Sequence, residues 1–285
     1  MLVNLREWHR PATVTAALRL LQRGGAAVVP AAGMTTLAKL EMPAVTGLVD
    51  LTALPLTYVN AARGGLRVGA TTTVSELIDA PAGRKYAAGM LRQCGLSIGS
   101  TLNRNLITCG GNSVQCYFWS CLPVALLALD AQLVVARGRG RRRVAAAEFF
   151  ARQPKQVLGA AALVTELILP PLPPGTRAGF RKVAPTATAF AQVTVAALLR
   201  VRAGTITGLQ AALGGLAALP QRFPELEKKY CGCPATDAVF AELAERLASH
   251  CQVLPDMRVS AEYKRMLVQT VTGDLLRALR DGGRS

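Results

Sequence analysis

The sequence predicts a mixed helix-and-strand protein folded as two domains. Three observations carry this reading. Helix-like and strand-like segments alternate through the first half. The stretch Leu169-Pro-Pro-Leu-Pro-Pro-Gly175 then interrupts the chain, and five of its seven residues are proline or glycine, which continue neither a helix nor a central strand. Beyond it, strand-like runs near 179–183, 190–202 and 206–214 follow one another with short connections, as an antiparallel meander would. The linker is therefore placed at about 170–177. The 285 residues suffice for two ordinary domains.

The elements are justified in order. Val14, Ala17, Leu18 and Leu21 sit at helical spacing, and Gly24-Gly25 stop that helix. Ala26 to Val29 reads as a short strand ended by Pro30, and Ala31-Ala-Gly-Met-Thr-Thr36 as a small-residue loop opening the next helix. Strands follow around Gly47–Asp50 and Leu66–Val68. Thr73 and Glu76 have the spacing of a capping box for the helix that carries Leu77 and Ile78. A helix near Tyr86–Gln93 leads into Ser97–Ser113, which is polar, glycine-containing and poor in helix signals. Pro123–Leu129 is apolar and helical. Residues 133–145 read as a hairpin around Arg137-Gly-Arg-Gly-Arg-Arg-Arg143. Past the meander, Phe240, Leu243, Ala244 and Leu247 mark an amphipathic helix, and a last helix covers about Ser260–Leu279.

Composition bounds the function. With 51% apolar and 18% charged residues the chain is not a disordered one. A mean hydropathy of +0.30 points to surface covered by partner chains. No apolar run reaches the roughly 18 residues of a membrane helix; Asp130 and Gln132 interrupt the longest, Leu122–Ala136. The start, Met1–Pro11, has no secretory pattern. Seven cysteines without such a signal read as reduced thiols in the cytoplasm. The net charge of +16 admits nucleic acid, an anionic surface, an acidic cofactor or acidic partners. The arginine run reads first as a solvated hairpin tip, and the scarcity of aromatics argues against a base-stacking platform.

Several chemistries are excluded. His9 and His250 are the only histidines, too few for zinc hydrolysis or a Ser-His-Asp arrangement in its usual spacing. Neither a phosphate-loop motif nor G-x-G-x-x-G after a strand is present. What stands out is a pair of small-residue turns, Ala31–Thr35 and Thr108-Cys-Gly-Gly-Asn112. Such turns let a backbone approach a ligand closely, and their successive N–H groups form an anion nest. Two nests would cradle one pyrophosphate; the plain alternative is two tight turns.

The order and wording of these segments resemble the FAD subunits of the molybdenum hydroxylases, the xanthine dehydrogenase and carbon monoxide dehydrogenase type. The family pattern A-G-G-T-D-L-L is similar to Ala31-Ala-Gly-Met-Thr-Thr-Leu37. I-G-A-x-T-T-x-x-E-L is similar to Val68–Leu77, and I-R-N-x-G-T-I-G-G-N to Leu102–Asn112, the most specific match. Leu126–Ala131, Phe180–Val183, Ala212–Gly215 and Ser260–Arg265 extend the likeness over nearly the whole chain. The resemblance implies an α+β fold: a two-subdomain PCMH-type FAD-binding domain over 1–172, with its internal break near 55–65, and a C-terminal α+β domain over 178–285 made of a three-stranded antiparallel sheet with a helical bundle. It implies FAD held by Ala31, Ala32, Gly33, Met34, Thr35, Thr36, Asn105, Thr108, Gly110, Gly111, Asn112, Cys121 and Lys182, with the pyrophosphate on the two small-residue loops and the isoalloxazine between the domains.

This sequence departs from the family at several points. Ala32 replaces the first glycine of the pair, Thr35 the usual Asp, and Cys121 an Asp that contacts the nucleotide. Pro185 and Thr186 stand where xanthine dehydrogenases carry an arginine-rich segment, and Thr188 and Ala189 where an Asp pair follows. Cys109, Cys116 and Cys121, with Cys94 upstream, invite a cluster reading, but they lack tight C-x₂-C pairs and no inserted segment holds them, so they read as buried thiols with no metal. The resemblance implies an oxidoreductase subunit with no catalytic acid or base of its own. It would pass electrons from [2Fe–2S] clusters on a small subunit, fed by a molybdenum-cofactor large subunit, through FAD to an external acceptor. The rival is a basic scaffold of the same fold that has lost FAD and binds partner proteins or nucleic acid.

Overall fold

Three sheets are strung along the chain in the computed structural model, which describes residues 2–159, 161–256 and 259–282; Met1 and Ser285, the outer ends of the expected domains, lie outside them. The first is small and parallel. β1 (Glu7–His9), β2 (Val28–Ala31) and β3 (Gly47–Asp50) pair in the order β1-β3-β2, with α1 (Val14–Gly24) between the first two strands in sequence. The Thr13 hydroxyl accepts the Ala16 amide at 3.2 Å, supplying a partner that the first turn of a helix lacks. Ala17, Leu18 and Leu21 turn inward, as their spacing predicts. The strand expected to stop at Pro30 runs through it to Ala31. Because β2 is an edge strand, the missing proline N–H breaks no ladder. The loop that follows opens only a three-residue turn of 3₁₀ helix, Leu37–Lys39, and not the expected helix.

The second sheet is antiparallel, in the order β4-β5-β8-β6-β7. β4 (Val59–Ala62) and β5 (Gly65–Gly69) lead into α2 (Val74–Asp79), α3 (Pro81–Lys85), α4 (Met90–Leu96), α5 (Thr101–Arg104), α6 (Cys109–Gln115) and α7 (Cys121–Ala128). β6 (Gln132–Arg137), β7 (Gly140–Ala145), α8 (Ala146–Phe149), α9 (Pro154–Leu158) and β8 (Ala162–Leu169) complete it. The capping box at α2 is formed: Thr73 Oγ1 accepts the Glu76 amide, and Glu76 Oε2 accepts the Thr73 amide at 2.8 Å. Ser97–Ser113, expected to be irregular, contains α5 and most of α6. β8 comes last yet sits centrally. Its Glu166 is buried, gripped by both forks of the Arg67 guanidinium at 2.8 Å and by the Tyr58 hydroxyl at 2.7 Å, the pairing a buried carboxylate needs. The arginine hairpin is β6–β7, with Gly138 and Arg139 exposed at its tip.

The third sheet has β9 (Arg177–Val183), β10 (Val193–Arg202) and β11 (Thr205–Gly214) as the expected meander. A two-residue edge strand, β12 (Gln221–Arg222), makes it four-stranded in the order β12-β11-β10-β9. α10 (Pro224–Tyr230), α11 (Asp237–His250) and α12 (Ala261–Arg280) follow. Strand alternation explains how the domains join. Val193, Val195, Ala197 and Leu199 of β10 pack on α11 and α12 through Phe240, Leu243, Val268 and Leu276. Ala196 and Leu198 point the other way, into the core that holds α4 and α7. All eight residues of α7 are buried, so it is the helix that is apolar all round. Much of the apolar excess read as partner-covered surface is thus consumed inside the chain. Arg222 fastens the same joint. It is bidentate to the buried Glu227 at 2.9 Å on each fork and donates to the Leu127 carbonyl at 3.2 Å.

Candidate functional site

A cleft of about 540 Å³ opens between the loop after β2 of the first sheet, the helices that follow β5 and the C-terminal domain. Its floor and walls come from the loop after β2, the turn before α5, the first turn of α6, the segment between α6 and α7, and Lys182 with residues 188–191 of the C-terminal domain. Ten of the thirteen expected cofactor residues line it: Ala32, Gly33, Met34, Thr35, Thr36, Thr108, Gly111, Asn112, Cys121 and Lys182. Three do not. Ala31 is the buried end of β2, behind the loop. Asn105 faces away, and its Oδ1 accepts the Ser75 hydroxyl at 2.6 Å. Gly110 lies against Ala70, where an added Cβ would come within 2.7 Å of the Ala70 Cβ.

The two small-residue loops are built differently. Around Gly33 the chain touches the α5–α6 connection so closely that a Cβ would sit 1.7 Å from the Leu106 carbonyl oxygen. Met34 takes the left-handed conformation, φ 56°, which a side chain adopts only under constraint. Among the described residues, the amides of Gly33, Met34, Thr35 and Thr36 donate to no protein atom. This loop lines the cleft with four successive N–H groups that no protein atom takes, the condition for an anion nest.

Thr108–Asn112 is not a turn after a strand but the start of α6, and its amides are taken. Cys109 donates to the Thr72 carbonyl and Gly110 to the Ala70 carbonyl, both at 2.8 Å. Gly111 donates to the Thr108 hydroxyl at 3.2 Å and Asn112 to the Thr108 carbonyl at 2.9 Å. Its glycines therefore admit neighbouring backbone and a cap in place of a ligand's phosphates. What this region offers the cleft is the Asn112 side chain, whose Oδ1 is buried and has no hydrogen-bond partner among the described residues. An unpartnered buried acceptor is costly unless a ligand's donor reaches it.

Lys182 does not offer a free cation. Its ammonium donates to the carbonyls of Ser97 and Ala187 at 2.7 Å and of Ala189 at 3.1 Å. All three N–H bonds are used, and they strap the 184–191 segment onto the first domain. Cys121 is buried at the start of α7. Burial pushes its thiol up to about 12 against the smaller pull of the Lys182 charge, so at neutral pH it is a neutral thiol, a weak donor and acceptor. Burial likewise raises Cys94, Cys109 and Cys116. Among the described residues no three His, Cys, Asp or Glu side chains converge on a metal-sized site. His9 pairs with Glu7 and His250 with the Arg246 carbonyl, both away from the cleft.

Sequence reasoning missed the cleft's aromatic wall. Trp119 is stacked between Tyr117, at 4.8 Å and 15°, and Phe190 of the C-terminal domain, at 4.5 Å and 26°. The signal was present: Tyr117-Phe-Trp119 is a run of three aromatics in a chain that is only 5% aromatic. It lay outside the small-residue motifs. The cleft thus combines a loop of unpaired amides, a buried orphan acceptor and an aromatic stack, and these suit a dinucleotide with a planar ring.

Comparison with known proteins bears on the same point. Residues 3–172 match the model of the FAD binding domain in molybdopterin dehydrogenase, and residues 178–279 that of the CO dehydrogenase flavoprotein C-terminal domain. The chain belongs to this family of FAD-binding medium chains. It is 27% identical over 250 residues to the glyceraldehyde dehydrogenase medium chain of Sulfolobus acidocaldarius, covering 87% of this chain and 86% of the relative. It is 28% identical over 247 residues to the nicotine 6-hydroxylase medium subunit of Paenarthrobacter nicotinovorans, covering 86% and 84%. Its fold is that of a chain of carbon monoxide dehydrogenase from Hydrogenophaga pseudoflava, with a TM-score of 0.92 at 24% identity over 99% of each chain. As a family medium chain it is an FAD-binding oxidoreductase subunit of the molybdenum hydroxylase type, with an α+β fold. No helix among the described residues is long and apolar enough to cross a membrane.

Proposed function

We propose that this chain is the electron-transfer subunit of a heteromeric molybdenum hydroxylase, with a molybdenum-cofactor large subunit and a [2Fe–2S] small subunit as partners. Bound FAD supplies the relay between the iron–sulfur clusters and an external acceptor; the chain's task is to hold and tune it. The domains are taken as 1–172 and 178–285. The observation that carries the reading is the run of free amides at Gly33–Thr36, lining a cleft that two domains share.

The residues divide the work. The Gly33–Thr36 amides would bind the diphosphate, since each N–H lowers the energy of an oxyanion without a compensating positive side chain. Asn112 Oδ1 would accept from a hydroxyl or amino group of the cofactor. Trp119 and its stacked neighbours would orient the planar ring and exclude water beside it. Thr108 and Gly111 shape the first turn of α6 beside the cleft, Lys182 sets the position of Phe190, and Gly110 packs behind the site against Ala70. Cys121 fills the wall as a neutral thiol.

Titrating FAD, FMN and riboflavin into purified chain tests the reading. One FAD per chain is expected. Riboflavin, which lacks any phosphate, should bind far more weakly. Colourless protein that takes up no FAD, yet captures protein or nucleic-acid partners, would favour the basic scaffold.

A further inference from the structure

A lysine of the C-terminal domain, Lys264 on α12, is only 1% exposed. Its ammonium donates to the carbonyls of Gly215 at 3.0 Å and Leu254 at 3.1 Å, and lies 3.1 Å from an Asp256 carboxylate oxygen and 5.7 Å from the centre of the Phe118 ring. A buried ammonium needs such a shell in place of its lost water. Two of these contacts lead to one place. Gly215, whose carbonyl the lysine holds, donates its own amide to the Phe118 carbonyl at 2.9 Å. Phe118 is thereby gripped through its ring and through its main chain. It meets Trp119 edge-on, with centroids 4.6 Å apart, and Trp119 is the middle layer of the cleft's aromatic wall.

We propose that Lys264 is a positioning residue for that wall: its buried ammonium fixes Phe118 and Gly215, and through them the orientation of Trp119 in the cleft. Leu254, Asp256 and Gly215 all belong to the C-terminal domain; the Phe118 ring contact and the Gly215–Phe118 hydrogen bond are what carry the lysine's reach beyond it. The Gly215–Phe118 arm crosses to the segment between α6 and α7, on the other side of the domain joint.

The test uses the full chain and the fact that Trp8 and Trp119 are its only tryptophans. In a Trp8→Phe background, Lys264→Met keeps the unbranched stem and removes the ammonium. Without flavin, Trp119 emission should move to longer wavelength and become more open to acrylamide quenching, with far-UV circular dichroism unchanged. Asp256→Asn should do the same to a smaller extent, and it carries the test if Lys264→Met does not fold. A second arm rests on the proposed function: FAD affinity should fall about tenfold in Lys264→Met, equivalent to about 1.4 kcal/mol. If Trp119 moves while no variant or parent binds FAD, the positioning role stands and the cofactor reading fails. Folded variants whose Trp119 emission and quenching equal the parent's would overturn the proposal. So would a lower thermal midpoint with an unmoved Trp119, which would make Lys264 a support of its own domain only.

Discussion

The loops at 31–36 and 108–112 look alike as sequence and differ as chemistry. Both are runs of small residues with glycine. In the first, four successive residues line the cleft with amides that have no protein partner among the described residues. In the second, four successive amides are held by Thr72, Ala70 and Thr108. Glycine at 33 and glycine at 110 each permit a close approach, but of protein to protein: Leu106 in one case and Ala70 in the other. Small residues thus mark where backbones crowd. Only the fate of the N–H groups tells a ligand nest from a packed turn.

The largest expected effect comes from forcing the first loop off its support. Gly33→Val would drive a side chain into the Leu106 carbonyl, at about 1–3 kcal/mol of overpacking, and should abolish FAD uptake measured by flavin absorbance. Uptake that survives would end the case for this loop. Gly110→Val should cost a similar 1–3 kcal/mol in chemical denaturation, since it strikes Ala70. The folded protein should nonetheless bind FAD with near-parent affinity. Flavin expelled from well-folded Gly110→Val would make the second loop a nest after all.

Asn112→Leu is a finer probe. It removes the buried acceptor, so FAD should bind about fivefold more weakly, about 1 kcal/mol, while the flavin-free chain should be no less stable. Equal affinity would leave Asn112 without a role. The smallest effect concerns thiols. Burial, then the Glu76 charge, pushes Cys109 up to about 12, and Cys121 is similarly placed. At pH 8 a thiol reagent should therefore modify Cys231 and Cys233 and leave the buried Cys109 and Cys121 untouched, with or without FAD. Rapid labelling of Cys109 would show the second loop opening.

Local chemistry made much of the fold legible. The Thr73–Glu76 capping box, the α1 face and the β6–β7 hairpin each rest on residues a few positions apart. Ten of the expected site residues reach one cleft because the loop after β2, the starts of α6 and α7 and the end of β9 converge there. What stayed hidden depended on distant partners. α6 starts at Thr108 because Thr72 and Ala70 take its amides, and no propensity in Cys109-Gly-Gly-Asn112 announces a helix. β8 lies between strands 25 or more residues away, and its apolar run lacks the alternation that marks an exposed strand. Phe190 joins Trp119 across the domain joint, a meeting that spacing along the chain does not encode. Lys182 looked like a cofactor cation because its three carbonyl partners lie in segments that only folding brings together.

Amide hydrogen exchange, followed with and without FAD, reads the contrast between the two loops directly. Gly33–Thr36 should exchange rapidly in the free chain and slow at least tenfold when FAD is added, because each N–H acquires an oxyanion partner. Cys109–Asn112 should be slow in both states, since its amides already have partners. Protection that appears at 109–112 and leaves 33–36 unchanged would contradict the account.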